Sequence, residues 1–181
     1  MTLLQTTQTK PEENPLRQIR VEKVTVNIAT GKSGDPLEKA KKVLNQLTSQ
    51  TPATKRAKKT IKDFRIRKGE PIAAIVTLRR DEANSFLTRA LDAVNNKVKE
   101  SSFDGYGNFS FGIREHIEIP GTKYVPELGI FGATIHVTLE RPGYRIRRRS
   151  IRPAKMSRSH YVSRDEAVQF IQNNFGTQIV K

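Results

Sequence analysis

Residues 19–29 read Ile-Arg-Val-Glu-Lys-Val-Thr-Val-Asn-Ile-Ala. Side chains of a strand alternate between faces, so Val24, Val26 and Ile28 point one way and Lys23, Thr25 and Asn27 the other. This is the signature of a half-buried strand with one face left to solvent. Gly31–Gly34 makes a turn. Asp35, Pro36 and Glu38 then read as an N-cap, a first-turn proline and a capping acid. Leu37, Ala40, Leu44 and Leu47 recur at helical spacing up to about Ser49, and Pro52 closes the helix.

The same reading extends down the chain. Phe64 and Ile66 predict a second strand over 60–67, with Asp63, Arg65 and Arg67 on its other face. Gly69-Glu70-Pro71 is a turn. A third strand, 72–79, sends Ala74, Val76 and Leu78 inward and Ile75, Thr77 and Arg79 outward. Asp81 is placed to cap a helix striped by Phe86, Leu87, Ala90, Leu91, Val94 and Val98. Residues 101–130, rich in glycine and aromatics, predict an irregular insertion with short strands. A fourth strand, 134–140, buries Ile135, Val137 and Leu139 and presents Thr134, His136 and Thr138. The stretch 141–162 carries Pro142, Gly143 and Pro153 without sustained periodicity and reads as a basic loop. Ser163 and Glu166 form a capping box for a terminal helix over 163–175.

This order specifies an α+β fold: an antiparallel sheet with helices on one face, built on a split β-α-β, ferredoxin-like core. Residues 1–14 read as a disordered polar tail, and 15–181 as one domain. The uncovered face would collect Lys23, Thr25, Asn27, Thr77, Arg79, Thr134, His136 and Thr138. None of these is aromatic, which favours recognition of folded RNA by shape over stacking of single strands.

Charge names the partner class. The formal net charge is +15. Lys55, Arg56, Lys58, Lys59, Lys62, Arg65, Arg67 and Lys68 face one acid, Asp63. Arg141, Arg145, Arg147, Arg148, Arg149, Arg152, Lys155, Arg158 and Arg164 face none. The remainder is nearly neutral. Concentrated cationic windows on a neutral body suit polyphosphate, through counterion release. The second window is mostly arginine, which forks onto phosphate and stacks on bases.

Other classes are disfavoured. No apolar run approaches a membrane span, and the windows lack the amphipathic-helix pattern of a membrane surface binder. The absence of cysteine removes disulfides and thiolate metal sites and suits a reducing cytoplasm. Gly31-Lys32-Ser33 lacks the upstream glycine of a phosphate-binding loop, where Val26 stands. Gly31–Gly34 matches the bare GXXG of KH domains, but it follows a strand. His116, His136 and His160 are dispersed, and Glu115-His116 reads as a turn rather than a general-base pair. The aromatic cluster Phe103, Tyr106, Phe109 and Phe111 is better placed as the insertion's own core than as a stacking platform. No enzyme chemistry, metal or cofactor is expected.

Several blocks carry a resemblance. Val21–Ile28, Ala57–Phe64, Ile66–Ile72, Val76–Arg79, Ser102–Phe109 and Gly112–His116 are similar, in order, to the L-five family of large-ribosomal-subunit proteins. Leu139–Arg145 looks like its archaeal and eukaryotic branch. The resemblance implies binding of 5S rRNA from the sheet face at Asn27, Gln50 and Thr77, with Lys23, Thr25 and Arg79 beside them. It implies docking to large-subunit rRNA in the central protuberance, next to neighbouring large- and small-subunit proteins. It also implies that a mobile loop over 51–59 (Thr54, Lys55, Arg56, Lys58 and Lys59) reaches transfer RNA in the peptidyl site. The other basic residues, Arg65, Arg67, Lys68, Arg141, Arg145, Arg147, Arg148, Arg149, Arg152, Lys155 and Arg158, would contact further rRNA, with 145–158 ordering on assembly. The chain departs from the family pattern at Ser49, Thr51, Arg65 and Ala73. The rival readings are a non-ribosomal RNA chaperone or modifying enzyme, and a basic protein that coats nucleic acid or membranes.

Overall fold

The computed structural model describes residues 14–180. Of the predicted tail, residues 1–13 lie outside the described residues, and Asn14 caps a single 3-10 turn, Pro15–Arg17. Strand β1 (Arg20–Ala29) follows the predicted alternation: Val24, Val26 and Ile28 are fully buried. Helix α1 (Asp35–Thr48) buries Leu37, Ala40, Val43, Leu44 and Leu47. Its N-cap is Gly34, at φ 93°, so Asp35 is the first helical residue and not the cap. Asp35 and Glu38 still serve the helix start, because carboxylates in the first turn meet its unpaired N–H groups.

Strand β2 (Ala53–Arg56) corrects the predicted position of the second strand. It pairs antiparallel with β3 (Pro71–Leu78), placing Ala53 opposite Ile75 and Thr54 opposite Ala74. Every side chain of β2 is exposed, so an edge strand held by backbone bonds alone leaves no apolar alternation to read. Its charged residues also blunt the edge against pairing with other chains. The predicted strand 60–67 instead doubles back on itself. Ile61 and Ile66 exchange backbone hydrogen bonds of 2.9 and 3.1 Å around a turn at Lys62–Arg65. Phe64 sits at that tip and is 72 % exposed, the reverse of its expected burial.

Helix α2 (Arg80–Ala93) buries Phe86, Leu87, Ala90 and Leu91. Arg79 occupies its N-cap position, and Asp81 lies in the first turn without capping it. Strand β4 (Lys97–Lys99) leads into the insertion, where β5 (Asn108–Ile113) joins the main sheet beside β6 (Ala133–Glu140). The basic stretch is not wholly loop: α3 (Arg145–Arg148) gives it one helical turn, and Arg158–His160 forms a 3-10 turn. Helix α4 (Arg164–Phe175) starts in the predicted capping box, with Ser163 and Glu166 bonded reciprocally, and ends at Gly176 in the left-handed conformation. Strand β7 (Gln178–Val180) pairs in parallel with β4, a small second sheet with no counterpart in the sequence reading.

The main sheet runs β2-β3-β1-β6-β5, antiparallel throughout. Its first four strands have the order of a split β-α-β core, and β5 widens it. One hydrophobic cluster joins the inward side chains of β1, β3 and β6 to α1, α2 and α4. These helices leave the opposite face of the sheet open.

Candidate nucleic-acid interface

Strand register brings the outward residues into rows. Thr77, Thr25, His136 and Ser110 lie across β3, β1, β6 and β5 in one row. Ile75, Asn27, Thr134 and Gly112 form the next, and Lys23, Thr138 and Asn108 another. Thr77, Thr134 and His136 are exposed, while Lys23, Thr25, Asn27 and Thr138 are half-buried between neighbours. These rows offer hydroxyls, two amides, an imidazole and an ammonium, and no carboxylate. Such a surface donates to phosphate oxygens and exchanges hydrogen bonds with ribose hydroxyls without repelling either.

Gln50 lies apart from these rows. It follows Ser49, which ends α1 in the left-handed conformation, and its amide donates to Glu82 in the first turn of α2.

The first basic window forms an arm projecting from the β2 edge. Thr54, Lys55 and Arg56 are on β2, which replaces the expected mobile loop with a paired strand; Lys58 and Lys59 follow beyond it. Ala57 donates to Glu70 O at 2.8 Å and accepts from Gly69 at 2.9 Å, continuing the ladder to the root of the arm. Glu70 braces that root: its carboxylate accepts from Arg67 N and from Ser33 Oγ, each at 3.0 Å. The Arg67 backbone bond and then the Ser33 hydroxyl hold the Glu70 pKa below the ordinary carboxylate value. Arg65, Arg67 and Lys68 are exposed along the arm.

The second window divides by role. Arg141 is turned inward, bonded to Glu166 at 2.7 Å and to Ser159 O at 3.1 Å, so its charge serves to hold α4. Arg148 donates to Glu140 at 2.6 Å and to Glu22 at 2.8 Å, and Arg79 also donates to Glu22. Arg79 and Arg148 remain about half exposed, so each can face a phosphate while a carboxylate orients it. Burial raises the Glu140 pKa, with Arg148 pulling it back down. Arg145, Arg147, Arg149, Arg152, Lys155 and Arg158 are exposed on the segment that crosses this end of the sheet.

Other candidates resolve plainly. His116 is 1 % exposed; its Nδ1 accepts from Phe131 N at 3.3 Å, and burial lowers its pKa, so it is a neutral core imidazole. Phe103 and Phe109 are buried as expected and stack at 4.8 Å, but they join the one main core rather than forming a separate core of the insertion. Tyr106 departs from that reading, because it points out of the insertion and stays exposed. Tyr161, which sequence reasoning missed, meets it edge-on, and Tyr144 beside α3 in turn meets Tyr161. Their spacing in the chain carries no signal; an aromatic in a glycine-rich turn, Gly105-Tyr106-Gly107, is the one available clue.

Comparison with known proteins agrees with this geometry. Residues 14–67 match the family described as ribosomal protein L5, and residues 71–170 match the model of that ribosomal family's C-terminus. The large ribosomal subunit protein uL5 of Pyrobaculum aerophilum is 52 % identical over 166 residues, covering 92 % of this chain and 93 % of the relative. That of Sulfurisphaera tokodaii is 50 % identical over 169 residues, covering 93 % and 96 %. That of Nitrosopumilus maritimus is 47 % identical over 167 residues, covering 92 % and 96 %. With both halves matched and relatives aligned over nearly their whole length, the chain belongs to the ribosomal protein L5 family, structural and non-enzymatic proteins of the large ribosomal subunit.

Proposed function

We propose that the open sheet face binds 5S rRNA and helps dock it to large-subunit rRNA in the central protuberance. The carboxylate-free rows of Lys23, Thr25, Asn27, Thr77, His136 and Thr138 carry this reading. Asn27 and Thr77 are the residues the family resemblance pairs with 5S rRNA, and both belong to those rows. Gln50 would contribute from the turn after α1, after exchanging its bond to Glu82 for one to RNA. The arm between β2 and β3 reaches transfer RNA in the peptidyl site. Its contact group extends beyond Thr54, Lys55, Arg56, Lys58 and Lys59 to the tip at Lys62–Arg65, because the chain doubles back there. The exposed arginines of the second window contact neighbouring rRNA.

The test is binding of a 5S rRNA transcript by fluorescence anisotropy across a salt series. About six phosphate contacts give a log–log salt slope of about −4 to −5. Asn27→Ala with Thr77→Val should weaken binding by about tenfold or more, at roughly 1 kcal/mol for each lost hydrogen bond. A salt-independent affinity, or a double variant that binds as tightly as the native chain, would contradict the reading.

A further inference from the structure

We propose that a cleft at the end of the open face captures one unpaired RNA nucleotide, stacking its base on Tyr106 and holding its phosphate with Arg147 and Arg158. This rests on the RNA-binding reading above and adds a site to it. The cleft has two lobes, of about 630 and 890 Å³, which share Tyr106, Arg147 and Tyr161. Each lobe is within the size range of small-ligand sites. The smaller lobe is floored by Thr138 and Asn108, so it continues the polar rows of the sheet. The larger is rimmed by Lys155 and Arg158.

The turn that presents Tyr106 is pre-built. The Asp104 carboxylate accepts from Tyr106 N and Asn108 N at 2.8 Å each, and from the Asn108 amide at 2.6 Å. Gly107, at φ +77°, rests against Val162, where a Cβ would come within 2.7 Å of the valine Cβ. The turn therefore sits tight on the chain leading into α4. Tyr106 stays 65 % exposed, while its ring meets Tyr161 edge-on at 5.8 Å. Tyr161 meets Tyr144 edge-on at 6.0 Å and accepts from Arg147 Nη1 at 3.4 Å. A large aromatic left exposed on a rigid turn, with cations around it, is the arrangement that binds single-stranded bases.

The charge around the cleft selects the ligand. Glu140 is buried under Arg148, and Asp104 is occupied by its own turn. Arg147, Lys155 and Arg158 are exposed and form no ion pair among the described residues. Cations beside an open aromatic face fit a nucleotide, which brings both a phosphate and a π-face.

The test uses the full chain with a fluorescein-labelled 12-nucleotide single-stranded RNA and with its 12-base-pair duplex. Tyr106→Ala should weaken single-strand binding by about 5- to 150-fold, the span expected for loss of one stacked base. Its salt slope and its duplex affinity should not change. Tyr106→Phe should bind as the native chain does, and Arg147→Gln should make the slope shallower. Ultraviolet cross-linking should attach RNA to the peptide containing Tyr106 or Tyr161. Single-strand affinity of Tyr106→Ala within twofold of native, or an equal loss on the duplex, would overturn the proposal. So would cross-linking from a photoreactive residue at position 106 to protein alone in reconstituted large subunits. The 5S rRNA transcript separates the two readings. If it binds and responds to Asn27→Ala while the 12-nucleotide strand ignores Tyr106→Ala, only the cleft falls. If the transcript does not bind, the broader reading falls.

Discussion

Arg148 donates to Glu140 at 2.6 Å, and the same guanidinium reaches Glu22 at 2.8 Å. One residue of the basic window thus closes over two carboxylates buried at the end of the sheet. Arg79 and, at 3.9 Å, Arg20 complete the cluster. The clasp fixes α3 to β1 and β6, which places the following arginines at the margin of the open face. Arg148→Ala should cost about 2–3 kcal/mol at pH 7, below the full loss for a buried pair because Arg79 and Arg20 remain. Glu140 already has a raised pKa from burial. A raised carboxylate contributes stability that is complete below its ordinary value and is lost as pH rises through the folded value. Removing Arg148 raises it further, so the variant's deficit should be larger at pH 7 than at pH 4.5. Urea denaturation at the two pH values measures this, and an equal deficit at both would contradict it.

His116 predicts the opposite sign. Burial holds its pKa below the ordinary 6.5, with the neighbouring Glu115 charge only partly offsetting that, and the bond that Nδ1 accepts from Phe131 N also favours the neutral ring. Protonation therefore opposes the fold. The stability tied to this group is complete above about pH 6.5 and drains as pH falls through the folded value. His116→Gln should be less stable at pH 7.5, but its stability should change less between pH 7.5 and 5 than that of the native chain. Paired denaturation curves at these pH values decide it.

Gly107 has no room for a side chain. Its φ of +77° disfavours any L-residue, and a Cβ would approach Val162 Cβ at 2.7 Å and Leu139 O at 3.3 Å. Gly107→Ala should lose about 2–4 kcal/mol, combining overpacking with a disfavoured backbone. Gly105 has nothing within 4 Å and no positive φ, so Gly105→Ala should be close to neutral. Thermal melts of the two variants should separate clearly.

The arm between β2 and β3 should be separable from the fold. Phe64 is 72 % exposed at its tip, so Phe64→Ser should change stability by less than about 0.5 kcal/mol. Replacing Lys58, Lys59 and Lys62 by glutamine should leave 5S rRNA affinity within about threefold, since these lysines lie on the arm and not in the sheet-face rows, and a charge off the contact surface adds only a screened attraction. The same triple variant should weaken transfer-RNA retention on reconstituted large subunits, read by filter binding. A comparable loss for both RNAs would show that arm and sheet act as one surface.

Local pattern carried the elements that bury a face. Val24, Val26 and Ile28 alternate because one side of β1 meets helices, and Ser163 with Glu166 forms its cap from residues three apart. The open face at Asn27 and Thr77 came from the same alternation, since whatever is not inward must be outward. Strand β2 escaped because it buries nothing, and 60–67 misled because Phe64 and Ile66 alternate without a core to meet.

Only the folded chain decided which charges are free. Arg141 and Arg147 look alike in a basic run, yet Arg141 is bonded to Glu166 and Arg147 is exposed. Glu22 and Arg148 are 126 residues apart, and no local rule couples them. Alternation and capping act between near neighbours, so a linear reading resolves them. Ion pairing, and the convergence of Tyr106 on Tyr161, depend on distance through space, which the packing of sheet, insertion and basic segment sets.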